Sequence, residues 1–164
     1  MRHIIEAAEN VLKKYGGRNI FKTAENSGAN VWFRELGSLK GFYVYENKRR
    51  YIVINEQLDD VMKTVVCAHE LGHDTLHREL SEGGIRESTL FLSSNKTERE
   101  ANLFAASVLI SDDDFFEGLS GTNSVEALAS GLKLPVELVE YKLEIMRFKG
   151  YKFNGNSPDS GFLK

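Results

Sequence analysis

Apolar residues recur at helical spacing at the start of the chain, through Ile4, Ile5, Ala8, Val11, Leu12 and Tyr15. They predict a first helix that Gly16-Gly17 stops. A short second helix is expected from about Asn19 to Ser27, closed by Gly28. From Val31 to Leu36 the composition shifts to β-formers, including Trp32 and Phe33, and Gly37 to Gly41 reads as a turn. Phe42 to Tyr45 and Tyr51 to Ile54 are strands separated by Glu46-Asn47-Lys48, which is a hairpin signal. The pattern therefore predicts a small, mainly antiparallel sheet of about three strands, its aromatic residues serving packing.

The period then returns to helical. Asn55 is the expected N-cap, with Glu56, Asp59 and Asp60 near the positive end of the helix dipole. Val61, Met62, Val65, Val66 and Ala68 form its apolar stripe, and it is expected to end near His77. Arg78 to Lys96 is irregular, with a short strand expected over Ser88 to Leu92. A loop of this length in a compact domain is often functional and here would wall a cleft. Asn95 and Glu98 have capping-box spacing, followed by an apolar face of Ala101, Phe104, Ala105, Val108 and Leu109. Asp112-Asp113-Asp114 reads as a solvated turn, since it lacks the alternating ligands of a calcium loop. Two closing helices are expected over Ser124 to Ser130 and Pro135 to Lys149, with Pro135 at a first helical position. The organisation is one domain, residues 1–153, with a loose polar tail over 154–164.

The middle helix carries the chemistry. His69-Glu70-Leu71-Gly72-His73 is a His-Glu-x-x-His pattern. Two histidines four residues apart share a helical face, about 6 Å apart at Cβ, and can grip one metal ion from adjacent turns. Glu70 borders that face, where it can reach a water on the metal without being a ligand. This is the arrangement of zinc hydrolases that cut amide bonds. Gly72 costs a helix interior about 1 kcal/mol relative to alanine, which points to another segment approaching closely beside the metal.

Charge and composition narrow the function further. The 164 residues, 41% hydrophobic, suit one packed domain. A net charge of −3 and a pI near 5.8 give no electrostatic case for nucleic acid as an obligatory partner. The single cysteine, Cys67, forms no internal disulfide and permits a reducing compartment. Acids break the first apolar run almost at once, and no stretch is long enough to span a bilayer. A cytoplasmic protein is expected.

A catalytic zinc needs a third protein ligand. The metzincin spacing is excluded, because Leu76 and Glu79 stand where it requires glycine and histidine. His77 is rotated away from the His69–Glu70 side and is expected in a supporting role. The acidic candidates are Glu79, Glu82, Glu87, Glu98 and Glu100. Glu98 has a capping role already, whereas Glu100 flanks Phe104 at the edge of the apolar face and can point inward, where a buried carboxylate needs a partner. The expected ligands are His69, His73 and Glu100.

Ala68-His69-Glu70-Leu71-Gly72-His73 with Leu76-His77, then Glu98-Arg99-Glu100-Ala101-Asn102 and Phe104-Ala105-Ala106, resembles the ImmA/IrrE family of zinc metallopeptidases. The preceding hairpin with Gly41 and Tyr51 to Asn55, and the closing helix pair, are similar too; the resemblance covers roughly residues 30–150. Ile110-Ser111-Asp112 departs from it, where many members carry a proline. The resemblance implies an α+β, zincin-like fold, a Zn2+ cofactor and Glu100 as the match to the third ligand. It also implies a substrate: a helix-turn-helix repressor encoded beside the gene, whose cleavage releases a mobile element or stress response. In that chemistry zinc polarises the scissile carbonyl and activates a water. Glu70 moves the proton, and His77 and Tyr141 are alternative donors to the oxyanion.

Two other classes compete with this reading. A catalytically silent zincin-like binding protein would not need Glu70. A DNA-binding regulator would use Ser124 to Lys149 as a helix-turn-helix. That stretch has basic Lys133, Lys142, Arg147 and Lys149 against acidic Glu126, Glu137, Glu140 and Glu144, so it offers phosphates no net attraction.

Overall fold

A computed structural model describes residues 1–17, 19–78, 86–87, 90–91, 95–120, 122 and 124–153. Helix α1 (Arg2–Tyr15) buries Ile4, Ile5, Ala8 and Val11, as their spacing requires. Helix α2 (Ile20–Asn26) starts at Asn19, whose side chain accepts from the amides of Phe21 and Lys22. Gly28, at φ 96°, turns the chain out of α2 into the sheet, a conformation that favours glycine.

Among the described residues the sheet has four strands, in the order β1-β3-β2-β4. Strand β1 (Asn30–Arg34) runs parallel to β3 (Arg49–Asn55), with Val31 beside Ile52 and Phe33 beside Ile54. Strand β2 (Gly41–Glu46) is antiparallel to β3, and the hairpin turns on Asn47 and Lys48, both at positive φ, as a tight right-twisting turn demands. Strand β4 (Arg86–Glu87) adds two residues antiparallel to β2. The sheet is thus mixed, with one parallel pair on a mainly antiparallel frame. Of the strand expected over Ser88 to Leu92, Leu90 and Phe91 form a turn and residues 88, 89 and 92 lie outside the described residues; the described pairing to β2 is made by Arg86–Glu87.

Helix α3 (Asp60–Leu76) lies across β2 and β3, burying Val65, Val66, Cys67, Ala68 and Leu71 over Tyr43, Ile52 and Ile54. Gly41 permits this approach: a Cβ there would meet Val66 Cγ1 at 2.5 Å and the Val53 carbonyl oxygen at 2.9 Å. The N-cap is Asp59 and not Asn55; Asp59 accepts from the Met62 amide at 2.8 Å. Asn55 is occupied elsewhere, donating to the carbonyls of Gly37 and Leu39 and accepting from the Gln57 amide. It closes the β1–β2 connection and cannot also cap a helix four residues on.

A buried polar cluster fixes the rotation of α3 about its axis. Asp74, 1% exposed, accepts from Tyr43 Oη at 2.7 Å, Arg50 Nη1 at 2.8 Å and Arg78 Nε at 3.1 Å. Arg50 also donates to the Ser27 carbonyl, joining the end of α2 to the same cluster. Burial, and then the neighbouring Asp74 carboxylate, push the Tyr43 phenol well above its usual range, so it stays a donor. With Asp74 held to the sheet, the histidines of α3 are turned to the opposite flank.

That flank meets α4 (Lys96–Leu109), which buries Ala101, Asn102, Leu103, Phe104, Ala105 and Ala106. Helix α5 (Asp112–Leu119) was not expected. Ser111 caps it by accepting from the Asp114 amide, and the three aspartates occupy its first turn. Helices α6 (Val125–Leu132) and α7 (Val136–Phe148) form the expected closing pair, α7 packing on α4. Lys142 of α7, 2% exposed, donates to Asp112 at 2.7 Å and so ties α5 to the bundle. Among the described residues, no helix is long and apolar enough to cross a membrane. The tail expected over 154–164 lies outside the described residues.

Candidate metal centre

Gly72 brings α3 and α4 together beside the two histidines. A Cβ on it would lie 3.1 Å from Ala101 Cα and 3.2 Å from the Ala101 carbonyl oxygen, so the backbones themselves are in contact there. At this seam His69 and His73 are 0% and 1% exposed, and their Nε2 atoms are 3.1 Å apart.

The carboxylate that joins them is Glu98. Its Oε2 lies 3.3 Å from His69 Nε2 and its Oε1 lies 3.2 Å from His73 Nε2. Glu100 is not in this group; its Oε2 lies 2.9 Å from His77 Nε2. The difference from the expected His69, His73 and Glu100 set has two causes. Asn95 caps α4 alone, accepting from the Thr97 amide at 3.1 Å, so Glu98 is not held by a capping box. And two residues along a helix are about 200° apart around the axis, so Glu98 and Glu100 cannot share a face. Of the other acidic candidates, Glu79 and Glu82 lie outside the described residues, and Glu87 stands in β4.

Asn102 is the residue that sequence reasoning missed. It is fully buried and its Oδ1 lies 2.8 Å from His69 Nδ1. An amide oxygen only accepts, so His69 carries its proton on Nδ1 and presents the Nε2 lone pair to the seam. The Asn102 amide group donates onward to Tyr141 Oη at 3.4 Å. The signal was present in the sequence: Glu98 and Asn102 are four apart and therefore on one helical face.

The Glu98 carboxylate sits against both imidazoles at this buried seam. Glu98 Oε2 is nonetheless buried without a hydrogen bond among the described residues. Imidazole lone pairs and an anionic carboxylate converge, and such acceptors need a cation. A tetrahedral metal with ligands at about 2.0–2.1 Å has ligand–ligand edges of roughly 3.3 Å. The two Nε2 atoms, 3.1 Å apart, are close to such an edge, and each has one Glu98 oxygen at a similar distance, 3.3 Å for His69 and 3.2 Å for His73. Two nitrogens and one oxygen are also a donor set that zinc accepts. The residues therefore fit a zinc ion at three of its four corners.

Glu70 follows His69 in α3 and is fully buried, so it belongs to the same interior region. His77 has both ring nitrogens engaged, Nδ1 at 3.3 Å from His73 Nδ1 and Nε2 against Glu100, which removes it as an oxyanion donor. Cys67 is buried, and burial, then the Glu70 charge, push its thiol upward and leave it an inert core residue.

Residues 24–144 match the family described as the IrrE N-terminal-like domain, Peptidase_M78. The chain is 35% identical over 137 residues to "Uncharacterized immunity region protein 2" of Bacillus phage phi105, covering 83% of this chain and 86% of that protein. It is 28% identical over 139 residues to "Metallopeptidase ImmA" of Bacillus subtilis (strain 168), covering 82% of this chain and 80% of that protein.

Proposed function

This chain belongs to the ImmA/IrrE family, and on that premise we propose that it is a zinc-dependent endopeptidase whose substrate is a helix-turn-helix transcriptional repressor. The observation that carries the reading is the buried cluster in which His69 Nε2 and His73 Nε2 lie 3.1 Å apart, each against a different oxygen of the Glu98 carboxylate at 3.3 and 3.2 Å. His69, His73 and Glu98 would hold the zinc. When bound, zinc supplies a Lewis acid that polarises the scissile carbonyl and acidifies water.

The chain's own groups do the rest. Glu70 takes the proton of the attacking water as its oxygen bonds to the carbonyl carbon. It then delivers that proton to the amide nitrogen as the C–N bond breaks. Tyr141 donates its hydroxyl hydrogen to the carbonyl oxygen as charge develops there. Its own oxygen accepts from Asn102, the residue that orients His69, so donor and ligand are referenced to one side chain. The repressor as target rests on the family and on the immunity-region name of the phage relative.

The test is incubation of the purified chain with helix-turn-helix repressors encoded beside its gene, with added zinc or with chelator, read by mass spectrometry. One discrete cut, lost with chelator, is expected. A zinc-loaded chain that binds a repressor and leaves it intact would overturn the peptidase reading in favour of a zincin-like binding protein. Cutting of unrelated unfolded chains but of no repressor would overturn the choice of substrate.

A further inference from the structure

The two histidines of the seam are held from opposite sides by different chemistry. Asn102 holds His69. His73 is held by a second imidazole: His73 Nδ1 and His77 Nδ1 are 3.3 Å apart, and His77 Nε2 lies 2.9 Å from Glu100 Oε2. All three groups are sheltered, with His73 at 1%, His77 at 5% and the Glu100 side chain at 16% exposure.

We propose that Glu100 and His77 are positioning residues that fix the tautomer of His73 through a directed chain of two hydrogen bonds; this rests on the zinc reading of His69, His73 and Glu98. The direction follows from the ends. A carboxylate only accepts, so His77 Nε2 carries a hydrogen and donates it to Glu100. A neutral His77 then has its lone pair on Nδ1 and must accept there. The hydrogen that faces it across the 3.3 Å contact is then the one on His73 Nδ1. His73 therefore presents the Nε2 lone pair toward Glu98 and His69, the state a metal ligand needs. With a cation in the seam to take the Nε2 lone pairs and the Glu98 oxygens, every contact of the chain pairs a hydrogen with a lone pair.

The chain of contacts also explains why Glu100 faces outward from the seam. Its second oxygen lies 3.8 Å from His3 Nε2 of α1 and 3.9 Å from Lys96 Nζ, so nitrogen groups of two other residues flank the outer end of the relay. Glu100 thus supports the site from one residue beyond the seam instead of binding the metal. His77 is the spacer: a carboxylate on α4 that cannot reach His73 directly acts on it through a ring.

The experiment uses the full-length chain labelled with 15N at histidine, before and after addition of zinc. Long-range nitrogen–proton spectra give the tautomer of His73, and competition with a chromophoric chelator gives zinc affinity. In the wild type, His73 should carry its hydrogen on Nδ1 before zinc is added, the His77 contact prevailing over the Glu98 oxygen that lies 3.2 Å from Nε2. His77→Phe should shift it toward the Nε2–H form and weaken zinc binding on the order of 10- to 100-fold. His77→Gln, which keeps an accepting amide oxygen, should restore the Nδ1–H form and most of the affinity. Glu100→Ala should give a mixture of tautomers with intermediate affinity, and it decides the matter if His77→Phe fails to fold. An Nε2–H tautomer in the wild type, or an unchanged tautomer in a folded His77→Phe or Glu100→Ala protein, overturns the relay. Failure of the wild type to bind zinc overturns the metal reading alone, because the tautomer is read without metal.

Discussion

Gly72 and Ala101 touch backbone to backbone, and this contact sets how near the two halves of the candidate site can come. A Cβ at Gly72 would sit 3.1 Å from Ala101 Cα and 3.2 Å from Phe104 Cβ, none of which is the movable end of a side chain. Gly72→Ala gains about 1 kcal/mol of helix propensity. Forcing α3 and α4 apart costs about 1–3 kcal/mol and moves the histidines away from Glu98. A lower melting temperature and weaker zinc binding are expected. A variant that melts higher with unchanged zinc affinity would show that the seam yields freely.

Glu70→Gln removes the proton carrier and keeps the shape. Its occupancy by zinc should match the wild type, while cleavage should fall by about a thousandfold. Metal analysis and a cleavage assay on one preparation check this. Retained activity would remove Glu70 from the mechanism.

Glu98 and Glu100 should separate in a zinc titration. Glu98→Ala deletes an oxygen that lies within 3.3 Å of His69 and should abolish tight binding. Glu100→Ala deletes only the outer end of the His77 contact and should retain measurable binding. The reverse ranking would transfer the ligand role to Glu100.

Acid should loosen the α5 junction. Burial opposes ionisation of Asp112, but hydrogen bonds and charge from Lys142 and Lys149 outweigh it and lower its pKa. A carboxyl with a folded pKa below its unfolded value, which is about 4, stabilises fully above that value. The stabilisation is lost as pH falls through the folded pKa. Asp112→Asn leaves the Lys142 ammonium buried beside a neutral group. At neutral pH this should cost about 2 kcal/mol, discounted because Asp112 is 38% exposed. The variant's melting temperature should then drop less than the wild type's between pH 7 and pH 3. Equal drops would mean the pair is not coupled to folding.

Much of this arrangement was legible because it rests on local rules. His69 and His73 share a face by spacing alone, and Gly72 announced a close neighbour through its helix cost. Other features depended on competition between equally good local choices. Asn55, Glu56, Asp59 and Asp60 all suit a helix start, and only the turn carbonyls at Gly37 and Leu39 draw Asn55 away. Ser111 with three aspartates reads as a turn, yet the same residues cap and charge the start of α5. Glu98 was assigned to a cap that Asn95 completes by itself, and Glu100 was preferred because it flanks Phe104, when Asn102, one turn beyond Glu98, was the better guide. The His73–His77–Glu100 chain crosses between helices, so no spacing within one helix could have revealed its outer end.

His69 and His73 come from one helix and Glu98 from the next, so a cation held among them joins two distant points of the chain. Thermodynamically it is a reversible staple: it closes the segment between residues 73 and 98 much as a disulfide closes a loop. Metal supply would then govern resistance to proteolysis as well as activity, and starving a cell of zinc would shorten the lifetime of the chain.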